Sequence, residues 1–353
     1  MSGAAAFSSC ARPLNILCCS TRQWNAGDEW ILLGIRRLFR LAFPHVPFNW
    51  ILYDRSPDCF TSPWESPERR SGLLANSFQP ERALHGIDLI VAGGTPEWIG
   101  PHFESLMMLP DAASKPWFFL GIDHIHPEFS PTAQEVQILS RAFITARGRL
   151  AFDALKTIGL VVPILPCPSL FASPWEHPVR AINSVGVVIQ NDCILNQCVS
   201  TELKRQTLTL VQDLAARFQT RIICNYIDEF MELLRLPTDV AIHYSYDSAD
   251  YFKLVAQCDL IVTTRLHSAL LANSLVKPAI VVNRDPRVLS AIDPCPYIFA
   301  ADPKDVLKQL NVMDAGTIGR NLFNWKRNIE QHYIALIMER LQRHGLYQLS
   351  DTK

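Results

Sequence analysis

The stretch Asp259–Asn283, DLIVTTRLHSALLANSLVKPAIVVN, changes its hydrophobic period twice. DLIVTT is a short run of the kind shown by a strand buried on both faces. LHSALLANSL takes up helical spacing, and KPAIVVN is strand-like again. Strand, helix, strand in this order makes a parallel pair with a helical crossover. Arg265 and His267 stand where the first strand gives way to the helix. Backbone N–H groups are free at such a helix start, and the helix dipole favours anions there. An arginine adds a planar fork suited to carboxylate or phosphate. A histidine is the side chain whose ordinary pKa best suits proton transfer near neutrality. The same two residues also admit a structural reading: an arginine paired with a buried carboxylate, and a histidine closing the end of the sheet.

The alternation extends in both directions. SVGVVIQN, RIICNY and VAIHYSY are further strands, with TLTLVQDLAARF, EFMELL and SADYFKLVAQ as helices between and after them. An earlier series has strands at LNILCCS (14–20), FNWILYD (48–54), IDLIVAGG (87–94), KPWFFLGI (115–122) and AFITAR (142–147), with helical patterns between them. Two series of this kind predict an α/β protein of two doubly wound, Rossmann-like domains facing a cleft. The aperiodic, proline-rich stretch 163–178 is the expected linker. It divides the chain into residues 1–178, with a proline-rich insertion at 57–80, and 179–353, ending in a helix at 324–345 that packs and crosses back to the first domain. An insertion of that length is a lid, an acceptor-binding loop or a plain surface excursion.

At 353 residues, 48% hydrophobic and 19% charged, the chain is long and apolar enough for two cores. Its net charge of −1, without a basic block, gives no electrostatic case for nucleic acid or anionic lipid. No apolar run approaches the ~18 residues of a membrane helix. Arg12 and Pro13 precede only a strand-length apolar run, unlike a signal peptide, so a cytoplasmic location is expected. The ten cysteines contain no C-x-x-C pair and most read as buried thiols; Cys193 and Cys198 are close enough to suggest a disulfide, which a cytosolic chain disfavours.

Four other stretches carry candidate chemistry. WNAGDEWILLGIRRLF (24–39) follows the first strand; Asn25 and Gly27 allow a tight turn, and Asp28 suits a helix N-cap. It matches neither common nucleotide-binding glycine signature. DLIVAGGTPEW (88–98) places Gly93, Gly94 and Thr95 at a strand end, where a ligand can approach the backbone. ITARGRLAFDALKTIG (144–159) puts Arg147 at another strand end, with Arg149 beside it. GIDHIHPEF (121–129) groups Asp123, His124 and His126, at a spacing that suits no standard zinc motif.

Together these stretches resemble the polysaccharide pyruvyl transferase family. The matching elements are Asn25-Ala-Gly27-Asp28, Asp88 through Gly93-Gly94, Arg147-Gly148-Arg149, and Arg265-Leu266-His267-Ser268 with the later Lys277-Pro278. The chain departs from the family pattern at Gly148, where an acid is usual, at Ala151 for a serine, at Thr95 for a third glycine and at Asn283 for a tyrosine. The resemblance implies a GT-B-like fold and transfer of the enolpyruvyl unit of phosphoenolpyruvate to a saccharide acceptor as a ketal. It implies His267 as general acid/base, Arg265 and Arg147 on the donor's anionic groups, and Asp28 on the acceptor hydroxyl. Asn25, Gly27, Gly93, Gly94, Thr95, Leu266 and Ser268 complete the implied substrate site, and no tightly held metal or cofactor is required. Two other functions use the same features: a GT-B glycosyltransferase with Asp285 on its nucleotide, and a sugar- or phosphate-binding protein without turnover.

Overall fold

Among the described residues, eleven short, mostly apolar strands build two parallel sheets. A computed structural model describes residues 12–20, 26–54, 84–94, 106–123, 131–190, 200–235 and 238–346. The first sheet holds β1 (Leu14–Ser20), β2 (Phe48–Asp54), β3 (Leu89–Gly93), β4 (Trp117–Ile122) and β5 (Phe143–Ala146), in the order β2-β1-β3-β4-β5. The second holds β6 (Ser184–Val188), β7 (Gln219–Cys224), β8 (Ala241–Tyr244), β9 (Leu260–Thr263), β10 (Ala279–Val281) and β11 (Ile298–Ala300), in the order β11-β10-β9-β6-β7-β8. All registered pairs are parallel, as the continuous hydrophobic runs require. In each sheet the strand order reverses at its first strand, which opens a crevice at the carboxyl ends.

The helices among the described residues are α1 (Ala26–Ala42), α2 (Ala133–Arg141), α3 (Arg149–Thr157), α4 (Thr201–Ala215), α5 (Ile227–Leu233), α6 (Asp250–Ala256), α7 (Leu266–Ser274), α8 (Pro286–Ile292), α9 (Val306–Val312) and α10 (Ala315–Arg343). Helix α7, the LHSALLANS segment, is buried on nearly every side. A helix apolar all round belongs inside a core, and α7 lies between β9 and β10 on one side and α1 with the Pro168–Phe171 turn on the other. One hydrophobic cluster accordingly runs from Ile16 and Trp30 through Leu170 and Phe171 to Leu270, Val281 and Tyr333. The two sheets share this core.

The expected strands are present, most of them one or two residues shorter at one or both ends. The stretch 163–178 differs from expectation. It connects the two sheets but is no loose linker: Leu165, Cys167, Pro168, Leu170 and Phe171 are buried. Its prolines carry no N–H to satisfy, so an aperiodic segment enters the core at small hydrogen-bonding cost. The last helix, α10, packs against α1 as the sequence suggested. Its buried Tyr333 hydroxyl donates to the Pro166 carbonyl at 2.8 Å and lies 3.3 Å from Thr145 Oγ1. Tyr333→Phe leaves that carbonyl without its donor and is expected to cost about 1–2 kcal/mol in urea unfolding, with an unchanged m-value.

No described helix is long and apolar enough to cross a membrane. Cys18, Cys19, Cys167, Cys224, Cys258 and Cys295 are buried free thiols. The 57–80 insertion, Asn25, Thr95, His124, His126, Cys193 and Cys198 lie outside the described residues.

Candidate active site

Strand β5 ends at Ala146, and Arg147 follows, its N–H donating to the Ile122 carbonyl at 2.7 Å. The side chain is buried. Its Nη2 is paired with Asp123 at the end of β4. Nη1 stands 2.9 Å from His267 Nε2 and 3.9 Å from Cys167 Sγ. An arginine has only donors to offer, so Nε2 is the acceptor in this contact and the imidazole is neutral, with its proton on Nδ1. Burial, then the charges of Arg147 and Arg265, hold the His267 pKa well below its ordinary value. Burial opposes the charge of Arg147, but Asp123 more than offsets it and its pKa is raised.

From the second sheet, Thr263 Oγ1 accepts the Arg265 N–H at 2.8 Å. Arg265 is the extended N-cap of α7, without a side-chain cap. Its Nη2 is paired with Glu229, and its guanidinium lies 4.6 Å over the Tyr226 ring. Glu229 is almost wholly buried, and its other oxygen accepts the N–H groups of Asn225 at 2.9 Å and Tyr226 at 3.1 Å. Burial pushes the Tyr226 phenol up to about 12, so it stays a neutral partner. The structural reading of Arg265 is realised: from its place at the start of α7 it pairs with a buried carboxylate. Glu229 was not singled out in the sequence because it sits in an unremarkable helical stretch, EFMELL. An acid opening a helix just beyond β7, a strand of the same sheet, was the one available signal.

The third wall is the start of α1. A β-carbon built on Gly27 falls 2.3 Å from His267 Nδ1 and 2.8 Å from Cγ. The helix therefore approaches the histidine more closely than any other residue type allows. Gly27→Ala is expected to push His267 off Arg147 and weaken anion binding about tenfold or more by titration, as overpacking at ~1–3 kcal/mol implies. Asp28 is not the N-cap expected from the sequence; α1 already begins at Ala26, and Asp28 lies in its first turn, where a carboxylate suits the dipole. A β-carbon on Gly94 would fall 3.6 Å from Asp28 Oδ1, and Asp28 also acts electrostatically on Tyr226. It therefore stands between the two halves. Trp30 Nε1 donates to the Ser248 carbonyl at 3.0 Å, and Ser248 Oγ to Glu29 at 2.7 Å, which ties α1 to the second half.

The remaining sequence candidates separate. Gly94 has a φ of +85°, a conformation that suits glycine. Gly93 makes room for Ile31, 2.6 Å from a β-carbon there, which is a packing role. Leu266 packs its side chain into the core, leaving its N–H at the helix start. Ser268 is buried and accepts from Asn225 Nδ2 at 3.1 Å. Arg149 does not stand beside Arg147; it is exposed, 3.4 Å from Asp153 and 5.0 Å from the Phe152 ring centre. Asp285 accepts the N–H of Arg287 at 2.8 Å and pairs with its guanidinium, so it caps α8. Asn283 Nδ2 donates to the Thr264 carbonyl at 3.2 Å and its Oδ1 accepts from Asp285 N–H, bracing the turn after β10. Among the described residues no group of three or more His, Cys, Asp or Glu is placed to hold a metal ion.

Gly148, the departure beside Arg147, has a structural counterpart. As N-cap of α3 it offers no side chain, and the Leu150 N–H instead donates to Ser290 Oγ of α8 at 3.0 Å. A β-carbon at Gly148 would meet the Ser290 carbonyl oxygen at 2.6 Å. The second half thus supplies the cap an acid at 148 would have given, and Arg147 keeps its place. Gly148→Asp is expected to force α3 and α8 apart and lower the melting temperature; unchanged thermal unfolding would show that the two helices yield freely.

Arg147 Nε, Arg265 Nε, Asp123 Oδ1 and Asn225 Oδ1 are buried polar atoms without a hydrogen-bond partner among the described residues. Arg147 touches His267 and Arg265 acts on it electrostatically, each from the carboxyl end of a different sheet, the usual place for a ligand in such folds. The fold is that of GT-B-like enzymes. A structure of a putative UDP-N-acetylglucosamine 2-epimerase from Listeria monocytogenes has a TM-score of 0.60 at 10% identity, covering 94% of this chain and 98% of its own. The Methanocaldococcus jannaschii UDP-GlcNAc 2-epimerase complexed with UDP-GlcNAc and UDP has 0.52 at 11%, covering 89% and 99%. The Streptomyces nogalater glycosyltransferase SnogD has 0.50 at 11%, covering 95% and 100%. No curated protein matches the chain. The polysaccharide pyruvyl transferase family model matches residues 25–286, well over half of the chain and every element of the cluster around His267. The chain belongs to the polysaccharide pyruvyl transferase family of transferases.

Proposed function

We propose that the protein transfers the enolpyruvyl group of phosphoenolpyruvate to a saccharide diol as a ketal, in the cytoplasm. The observation that carries this reading is one histidine with an arginine on either side, the buried Arg147 from the first half of the fold and the partly buried Arg265 from the second. Phosphoenolpyruvate has two anionic ends, and each arginine can meet one. Asp123 and Glu229 fix the guanidiniums, so little side-chain freedom is lost on binding. The N–H groups at the start of α7 add donors without added charge.

The chemistry balances as follows. Histidine 267 in its protonated form gives a proton to the methylene carbon, which becomes a methyl group, and C2 becomes oxocarbenium-like. One acceptor hydroxyl adds to C2 and loses its proton, for which Asp28 is the base. The C2–O bond to phosphate then breaks, the second hydroxyl adds, and its proton ends on the departing phosphate. Two hydroxyl protons are lost, and the methylene carbon and the phosphate each gain one; Asp28 gives its proton up to solvent, from which His267 is reprotonated, and no redox step occurs.

Two observations weigh against the other functions. Asp285, the acid a nucleotide-sugar enzyme would use, is engaged as a helix cap with Arg287. The departure at Gly148, which favours a protein without turnover, is compensated by Ser290. A ligand that binds only the native state at 100 times its Kd stabilises it by about 2.7 kcal/mol. Phosphoenolpyruvate is expected to raise the melting temperature, and UDP-GlcNAc is not. Stabilisation by UDP-GlcNAc alone would reverse the assignment.

A further inference from the structure

The resting site holds the wrong proton count for its chemistry. His267 accepts from Arg147 through Nε2 and is neutral, whereas protonating a carbon needs the imidazolium. Its other edge is closed, because Gly27 stands against Nδ1. The charges facing the ring come from every element around it. Arg147 follows β5 and is matched by Asp123 after β4. Arg265 caps α7 and is matched by Glu229 of α5, with the neutral Tyr226 beside it. Helix α1 adds Asp28, and the inter-sheet stretch brings the Cys167 thiol to Arg147. Among the described residues, then, both guanidiniums are already matched by carboxylates, and Asp28 adds a further acid. Among the described residues, a donor with a phosphate and a carboxylate would meet no surplus positive charge.

One group here can supply it. A polyanion that draws the Arg147 Nη1 donor to itself frees His267 Nε2, and it replaces a repelling charge beside the ring with an attracting one. We propose that filling this site with a polyanion is coupled to uptake of one proton from solvent at His267 Nε2, so that the donor loads its own general acid. This rests on the function proposed above only for the identity of the donor; the coupling follows from the charges alone.

Isothermal titration at pH 8, in buffers of differing ionisation enthalpy, counts the protons exchanged. Sulfate is one probe, since it carries no proton of its own near neutrality; phosphoenolpyruvate, fully ionised at this pH, is the other. The expected result is uptake approaching about one proton per site, with affinity falling up to about tenfold per pH unit as pH rises. His267→Gln keeps an acceptor but cannot be protonated in this range, and is expected to bind with no uptake and a flat pH profile. Wild-type binding without proton uptake overturns the proposal, as does equal uptake in His267→Gln. Sulfate binding with uptake while phosphoenolpyruvate fails to bind overturns the proposed donor and supports the coupling. Failure of both to bind overturns both.

Discussion

His267→Gln is expected to retain measurable phosphoenolpyruvate binding and to lose about 10²–10⁴-fold in turnover, the usual share of a general acid/base. Binding is expected to survive because the groups proposed to meet the anion are Arg147, Arg265 and the start of α7, none of which the substitution removes. Glutamine can still accept from Arg147, so the guanidinium keeps its place beside Asp123. Turnover does not survive, because an amide cannot deliver a proton to carbon. Phosphate release, followed with a working acceptor, measures it. Turnover near that of the wild type would remove His267 from the chemistry.

The second large effect concerns the arginines. Arg147→Lys and Arg265→Lys are each expected to weaken phosphoenolpyruvate binding about ten- to hundredfold, from a loss of about 1.5–3 kcal/mol per charge-assisted hydrogen bond. Lysine keeps the charge but cannot hold a buried carboxylate and a second partner in one plane. At Arg147 those partners are Asp123 and His267; at Arg265 they are Glu229 and Tyr226. Arg149 offers no substitute for Arg147, since it is exposed and pairs with Asp153. Arg147→Met goes further and leaves Asp123 buried without its cation, at a cost of about 3–5 kcal/mol in stability. Titration of the two lysine variants, with urea unfolding of the methionine variant, checks this. Wild-type affinity in Arg147→Lys would confine the anion site to the second half.

Much of this was legible before any coordinates. Continuous apolar runs such as LIVAG and LIVT allow little except buried parallel strands, and the expected change from strand to helix at Arg265 is where α7 begins. Other features depend on partners distant in sequence. Glu229 lies 36 residues from Arg265, and nothing in EFMELL shows that its carboxylate turns inward. The pairing of Gly27 with His267, and of Gly148 with Ser290, needs the two halves docked. The short edge strand β11 was missed because three residues carry too little period to be read. Asp28 reads as a cap in the sequence but lies in the first turn of α1, because a cap and a first-turn acid look alike there.

A crystal structure with phosphoenolpyruvate bound tests the central claim most directly. The account expects one anionic end of the donor on Arg147 and the other on Arg265, with the methylene carbon facing His267 Nε2. A donor held by one half alone, away from His267, would contradict it.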